Sequence, residues 1–475
     1  MFKNILTVFR SSFWFWFLII LLPFGTRKFL GQFVPGNDYQ SVFLYLTDIA
    51  LFFLILFFVF ERGREFSWRR FSEPEFFLLG LFLVAALLSI FFSTTLSLAV
   101  YVFVRLFFGV LFAAAVFSIV RSPKNFERLL AVLAILAVLQ SLVAFLQFRT
   151  QSDLGLRWLG ESLLGPLEIG TSKIEIGGAK LIRAYGTFPH PNILAAFLLL
   201  GLLSLFHFYL HTMKTRDVYF FRRILVSLGI FVVAMGLTLT FSRAAWLIGF
   251  LGTLPFIIYG FYKEERVVEA ALPKTNRRIS RFWFQDNTAL PPSSATTLRR
   301  QASVRLLVIL LVVNYLLLAV FGWAVFPRVQ VSTQEPSVTY RLAYNRMGMG
   351  LVSQHPLGVG IGNQVIYSVS NNWYQRFGMD QSWQWEPIHN LYLLMTSEIG
   401  ILGGLAFIFF ILFLTRNIFR KELPLGKITA LTLLWSLLLF GLFDHFLWTV
   451  QAGRLMLWLT IGLAMAFARP EADLS

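Results

Sequence analysis

Residues 191–211 read PNILAAFLLLGLLSLFHFYLH, twenty-one positions without an Asp, Glu, Lys or Arg. Crossing the hydrocarbon core of a bilayer takes roughly 20 apolar residues in a helix, so this stretch is long enough to span. It is one of twelve. The others fall at about 12–30, 41–60, 76–93, 96–120, 127–148, 222–241, 243–262, 302–326, 389–414, 427–446 and 450–468. The pattern predicts an all-α, polytopic integral membrane protein of about 12 transmembrane helices, with residues 1–475 forming a single membrane domain.

Composition points the same way. Of 475 residues, 57% are hydrophobic and 14% charged, whereas soluble domains carry about 25% charged residues. The absence of Cys excludes disulfides, thiolate metal sites and cysteine nucleophiles. A net charge of +17 would suit a nucleic-acid partner, but its placement argues against one. With the N-terminus in the cytoplasm, 27 of the 41 Lys and Arg fall in the segments 1–11, 61–75, 121–128, 211–223, 263–305, 415–427 and 469–475. This is the positive-inside bias. It predicts a multi-pass protein of the cytoplasmic membrane with both termini cytoplasmic. The first helix follows Lys3 and Arg10 with no small-residue cleavage site after it, so it reads as an anchor and not as a removed signal peptide.

Three connections are too long for turns. Residues 263–301 read as a basic cytoplasmic linker, with Lys274, Arg277, Arg278, Arg281, Arg299 and Arg300 beside Pro291-Pro292. Residues 149–190 form a first outer loop. Residues 327–388, between helices nine and ten, form a larger and partly helical one. Its Trp373, Tyr374, Trp383 and Trp385 suit a structure resting on the membrane interface, and chemistry is expected there.

Candidate residues collect on that outer side. Arg243, in FSRAAW at 241–246, sits at a tight turn at headgroup depth. It either snorkels to water or grips an anion through its bidentate guanidinium. Arg341 and Arg346, in YRLAYNR at 340–346, lie on a short helix resting on the membrane. Five residues apart, they point to different faces, so at most one faces a given site. The sequel HPLGVGIGN at 355–363 opens with His355 and reads as a Gly-rich turn that brings backbone close to a neighbour. The most specific pattern is His389-Asn390, nine residues, Gly400, two residues, Gly403. His389 lies where the outer loop meets helix ten. It either hydrogen-bonds the helix end or accepts a hydroxyl proton, since an imidazole titrates near neutrality. Gly400, Gly403 and Gly404 read as close helix packing. Arg183 opens RAYGTFPHPN at 183–192, where Pro191 suits a first helical turn and His190 and Asn192 read as caps or as site residues. Arg105, inside helix four, and Asp444-His445 read as structural pairs. The outer acids form neither Asp-x-Asp nor His-x-x-x-His. No metal or other cofactor is expected, and arginines would have to stabilise a pyrophosphate leaving group.

These segments, in this order and topology, resemble the O-antigen ligase and polymerase superfamily of bacterial membrane glycosyltransferases. The resemblance rests on Ser242-Arg243, the Arg341 segment with its Pro-Leu-Gly-Val-Gly sequel, the Arg183–Asn192 stretch, and His389-Asn390 with its nine-residue spacing to Gly400. It implies a metal-independent, inverting transfer of glycan from undecaprenyl pyrophosphate to an acceptor hydroxyl at the outer face of the cytoplasmic membrane. The implied partners are a polyprenyl-pyrophosphate-linked glycan donor, a glycan or glycolipid acceptor, and membrane lipid. Carried over by position, Arg243 and Arg341, with Arg183 beside them, hold the donor pyrophosphate, and His389 deprotonates or orients the acceptor. Asn390, Arg346, His190, Asn192 and His355 are secondary candidates. The nine-residue spacing leans towards a ligase over a repeat-unit polymerase. A lipid-linked glycan transporter is the alternative from another class. It would require paired halves and polar residues at mid-membrane, where only Arg105 lies.

Overall fold

A computed structural model describes residues 10–34, 36–62, 74–211, 220–261, 292–329, 335–419 and 423–468. The first part of the chain forms α1 (Ser11–Leu21), an antiparallel hairpin β1 (Arg27–Gln32) and β2 (Ser41–Tyr45), then α2 (Leu46–Arg62), α3 (Pro74–Ser89), α4 (Leu96–Val120) and α5 (Pro123–Thr150). The loop at 149–190 holds a second hairpin, β3 (Lys173–Ile176) and β4 (Ala179–Ile182). There follow α6 (Pro191–His211), α7 (Phe220–Leu239), α8 (Arg243–Tyr259) and α9 (Pro292–Val329). The larger segment at 327–388 contains α10 (Pro336–Gln354), α11 (Gln364–Ser370) and α12 (Trp373–Arg376). The chain closes with α13 (Leu391–Phe419), α14 (Leu425–Phe440), α15 (Phe446–Thr449) and α16 (Gln451–Ala468).

Each of the twelve apolar runs contains a helix. Among the described residues, eight helices are long and apolar enough to cross a membrane: α3 to α7, α9, α13 and α16. The chain is therefore a multi-pass membrane protein, and the further crossings by α1, α2, α8 and α14 remain a proposal. The quoted stretch becomes α6, whose apolar window is 94% buried inside the protein, whereas that of α9 is 17% buried. Helix α6 packs against α5, α7, α8 and α14. A side chain at Gly201 would stand 2.1 Å from the Ala137 side chain on α5, so the two backbones meet there.

Two expectations are corrected. The first run does not continue to residue 30 as helix. Pro23 follows α1 and cannot extend it, and from Arg27 the chain is a strand whose partner, β2, occupies the start of the next apolar run. Residues 263–291 of the expected linker lie outside the described residues, and from Pro292 onward the chain is helical. Gly400 is the second correction. It does not smooth a helix–helix contact but breaks α13, with φ 80° and ψ 168°, a left-handed conformation that favours glycine. The Gly-rich turn fits into this break. Val359 N–H donates to Ser397 O at 2.9 Å, Gly360 N–H to Glu398 O at 3.0 Å and Ile401 N–H to Pro356 O at 2.9 Å. The backbone groups released by the kink are thus satisfied, as buried peptide groups must be. Gly403 does pack closely, with its added Cβ position 3.1 Å from Ala85 on α3. Arg105 is a structural pair as read: it joins α4 to α2 and α16 through Asp48 and Gln451.

Candidate active site

Asp444, in the turn between α14 and α15, is the point on which several of the candidate polar residues converge. Its carboxylate accepts the backbone N–H of His445 at 2.8 Å and the Asn192 side-chain amide at 2.8 Å. It is buried, as is His445. Burial opposes its ionisation, yet the surrounding histidines and Arg341 hold the Asp444 carboxyl below the usual carboxylate range. An ionised acid here, fed by fixed donors, is the local negative pole.

His389 stands against it. Its ring stacks on Tyr344 of α10, with centroids 5.0 Å apart and planes 11° apart, and meets the His445 ring edge-on at 4.8 Å. The Tyr344 hydroxyl is anchored on Gln384 O at 2.7 Å, so the stack is held at both ends. His389 Nδ1 lies 3.0 Å from the Pro387 carbonyl. A carbonyl only accepts, so Nδ1 carries the proton and Nε2 keeps its lone pair. That lone pair faces Glu386, whose carboxylate lies 3.4 Å from Nε2. Burial, assisted by His445 and Arg341, pushes the imidazole pKa down, while Asp444 opposes the shift. His389 is therefore neutral at neutral pH. Burial, then the nearby Asp444 charge, lifts the Glu386 carboxyl to about 7, with Arg341 opposing. The Glu386 side chain is still 39% exposed, so solvent moderates that lift.

The arginines divide by what already holds them. Arg183 is 6% exposed. Its three guanidinium nitrogens donate to Thr240 O, Ser172 Oγ and Asn192 Oδ1 at 2.7, 3.0 and 2.8 Å. It ties the first outer loop to the end of α7 and the start of α6, and its contribution at Asp444 runs through Asn192. Arg243 begins α8 after a turn in which Phe241 takes φ 48°, an uncommon conformation for an aromatic residue that packing of its ring on Phe148 and Trp246 sustains. Its Nη1 donates to Glu335 at 2.9 Å, and the other oxygen of Glu335 lies 2.5 Å from Arg328. One carboxylate thus bridges two guanidiniums. Arg341 makes no hydrogen bond or ion pair among the described residues, although it acts electrostatically on Asp444, His389, Glu386 and Arg183.

The remaining candidates fall at the edges. His190 Nδ1 accepts the Asn192 N–H at 3.1 Å. Burial first, then Arg183, lowers its pKa to about 3, which keeps it a neutral neighbour of Asp444. Asn390 caps α13 by accepting the Leu393 N–H at 3.0 Å. It also lines an open cavity of about 600 Å³ with Arg346, Asn345, Leu342 and Met349. His355 is set apart, bonded to Tyr367 at 2.8 Å. The sequence reading left out Asp444 and His445 as a local pair and did not single out Glu335, Glu386 or Arg328. The one available signal was the Asp444-His445 dipeptide at a helix end.

Chemically, the cluster offers a neutral imidazole whose Nε2 keeps its lone pair, carboxylates to stabilise it once protonated, and a guanidinium, that of Arg341, with no hydrogen bond or ion pair among the described residues. No curated protein matches the chain. Residues 228–408 match the family model described as O-antigen ligase. That span runs from within α7 to within α13 and contains Arg243, Arg341 and His389. Over that span the chain is similar to the O-antigen ligase family, a likeness that supports the O-antigen ligase and polymerase superfamily.

Proposed function

We propose that this protein is a glycosyltransferase of the outer membrane face, moving glycan from a polyprenyl pyrophosphate to an acceptor hydroxyl. The observation that carries the proposal is a neutral His389, its Nε2 turned towards Glu386, close to Asp444 together with an Arg341 that makes no hydrogen bond or ion pair among the described residues. The acceptor oxygen attacks the anomeric carbon while its proton passes to His389 Nε2, and the bond from that carbon to the diphosphate oxygen breaks. The electron pair leaves with the diphosphate. Direct displacement inverts the anomeric centre. Arg341, joined by Arg243 when the diphosphate competes with Glu335, stabilises the departing charge, because preorganised donors act where charge develops. Burial makes His389 a weak base, but the neighbouring carboxylates of Asp444 and Glu386 favour the imidazolium as the proton arrives.

The proposed donor is undecaprenyl-pyrophosphate-linked glycan, and the proposed acceptor a glycolipid, as for a ligase. Purified protein given a synthetic polyprenyl-pyrophosphate glycan, with a glycolipid or a second lipid-linked repeat as acceptor, tests both points. Acceptor-dependent release of polyprenyl pyrophosphate is expected, and the acceptor used separates ligase from polymerase. Movement of intact donor across a vesicle, with no release, would make the protein a transporter.

A further inference from the structure

Glu335 is the N-cap residue of α10, where a carboxylate can accept the first helical amides, yet its side chain makes no capping hydrogen bond. It turns instead to two arginines, taking Arg243 Nη1 on one oxygen at 2.9 Å and Arg328 Nη1 on the other at 2.5 Å. We propose that Glu335 is an internal stand-in for the donor diphosphate, holding both guanidiniums ready for it and excluding anions of a single charge. Arg328 is then a further donor-binding residue. Glu335 sets the selectivity for a diphosphate over a phosphodiester headgroup. The inference rests on the reading of the donor as a polyprenyl diphosphate.

The geometry gives both guanidiniums fixed positions. Arg243 opens α8, and Arg328 lies in the last turn of α9, which packs against α8. Arg328 Nε also donates to Phe241 O at 3.4 Å, in the turn that presents Arg243. Neither arginine has another hydrogen bond or ion pair among the described residues. The bridge therefore keeps one positive charge in excess, and Arg341 acts electrostatically on Arg328 as well. The Arg243, Arg328 and Glu335 side chains are 19%, 18% and 24% exposed, so the bridge borders open space and is not sealed in the core. Arg183 differs, since its three nitrogens are met by neutral acceptors in a buried setting.

Exchange favours a ligand with more charge than the group it displaces. A carboxylate tethered beside its partners competes at an effective concentration on the order of millimolar. A phosphodiester headgroup carries one negative charge, as Glu335 does, and gains little by taking its place. A diphosphate brings more charge and more acceptor oxygens. It can meet the forks of both guanidiniums and still offer a second phosphoryl group to Arg341.

Full-length protein in detergent can be titrated with farnesyl diphosphate and with short-chain phosphatidylglycerol, and binding read by ligand-detected NMR. Glu335→Gln should bind the diphosphate about tenfold more tightly than the wild type, and Arg328→Gln about tenfold more weakly, the order of one charge-assisted contact. Glu335→Gln should also admit phosphatidylglycerol, which the wild type excludes, and Arg346→Ala should change neither affinity. A bridge that serves stability alone gives the opposite sign for Glu335→Gln, or no change. Thermal unfolding certifies the fold of each variant. Glu335→Asp and Arg328→Lys replace one that does not fold, with the same directions and smaller size. Diphosphate binding unchanged or weakened in folded Glu335→Gln, or unchanged in folded Arg328→Gln, overturns this inference and leaves the donor reading standing. Phosphatidylglycerol bound equally by the wild type and Glu335→Gln overturns it too. If neither of these two proteins binds the diphosphate, the donor reading falls and takes this inference with it.

Discussion

Two Arg–His sets around α10, Arg341 with His389 and Arg346 with His355, carry the same kinds of side chain and use them in opposite ways. Near its start, Arg341 and Tyr344 lie three residues apart on one face, with Tyr344 stacked on His389 and Arg341 without a bonded partner among the described residues. Midway along it, Arg346 is exposed along an open groove, and just past its end His355 is bonded to Tyr367. The chain then enters the Gly-rich turn, which is fastened to the kink of α13 by backbone hydrogen bonds. The two Arg–His sets look equivalent as residue types. The difference lies in which bonding capacity is already met. At the far end the His355 ring is satisfied, and the turn serves the fold. At the near end a lone pair and a guanidinium are left for something else.

The sharpest way to break this comparison is to remove the base. His389→Gln keeps a hydrogen-bonding group but loses the imidazole, and loss of a general base typically costs 10² to 10⁴ in rate. Transfer per folded molecule should fall by about that factor, with donor binding nearly intact. A rate near that of the wild type would remove His389 as base. Next in size is Arg341→Ala, expected to slow transfer about a hundredfold, by analogy with losing one anion-stabilising donor worth ~3 kcal/mol. Lys should rescue it poorly, because an ammonium lacks the bidentate fork. Arg243→Ala should cost less, about tenfold by the same reasoning, since Glu335 already neutralises part of its charge.

A smaller effect should separate the two titrating neighbours. The His389 pKa is lowered, so the ring stays unprotonated as pH falls from 8 through 6.5 and contributes no acid limb there. Glu386 is raised to about 7. Below that pH its carboxyl is protonated, is placed to cover the Nε2 lone pair, and no longer stabilises the imidazolium. Activity should therefore rise with pH through about 7, and Glu386→Gln should flatten that limb. A limb that persists in Glu386→Gln would assign it to another group. At the far end, His355→Gln and Arg346→Ala should lower stability slightly and change the folded rate by no more than about threefold, within the usual range of substitutions outside a site. A loss there equal to that of His389→Gln would erase the contrast. Smallest of all should be the effect of chelation. Among the described residues no three His, Asp or Glu side chains form a metal-binding group, and activity should survive EDTA with no gain from magnesium or manganese.

The sequence alone determined which stretches are helical in bulk and where the charges lie, because a spanning helix needs a long apolar run and tolerates few charges. It also brought His389, Arg243 and Arg341 to attention through local spacing. Tertiary structure decided what each does. Helices α6 and α9 are similarly apolar, yet one is 94% and the other 17% buried, since apolarity suits lipid and protein interiors alike. Arg183 and Arg341 are the same residue type, but only the fold shows that Arg183 is bonded through all three nitrogens and Arg341, among the described residues, through none. Asp444 lies 252 residues from Asn192 in sequence and 2.8 Å away in space. No local pattern encodes that contact. Pairing across the bundle depends on how helices pack, and that is a property of whole faces, which spacing along the chain does not record.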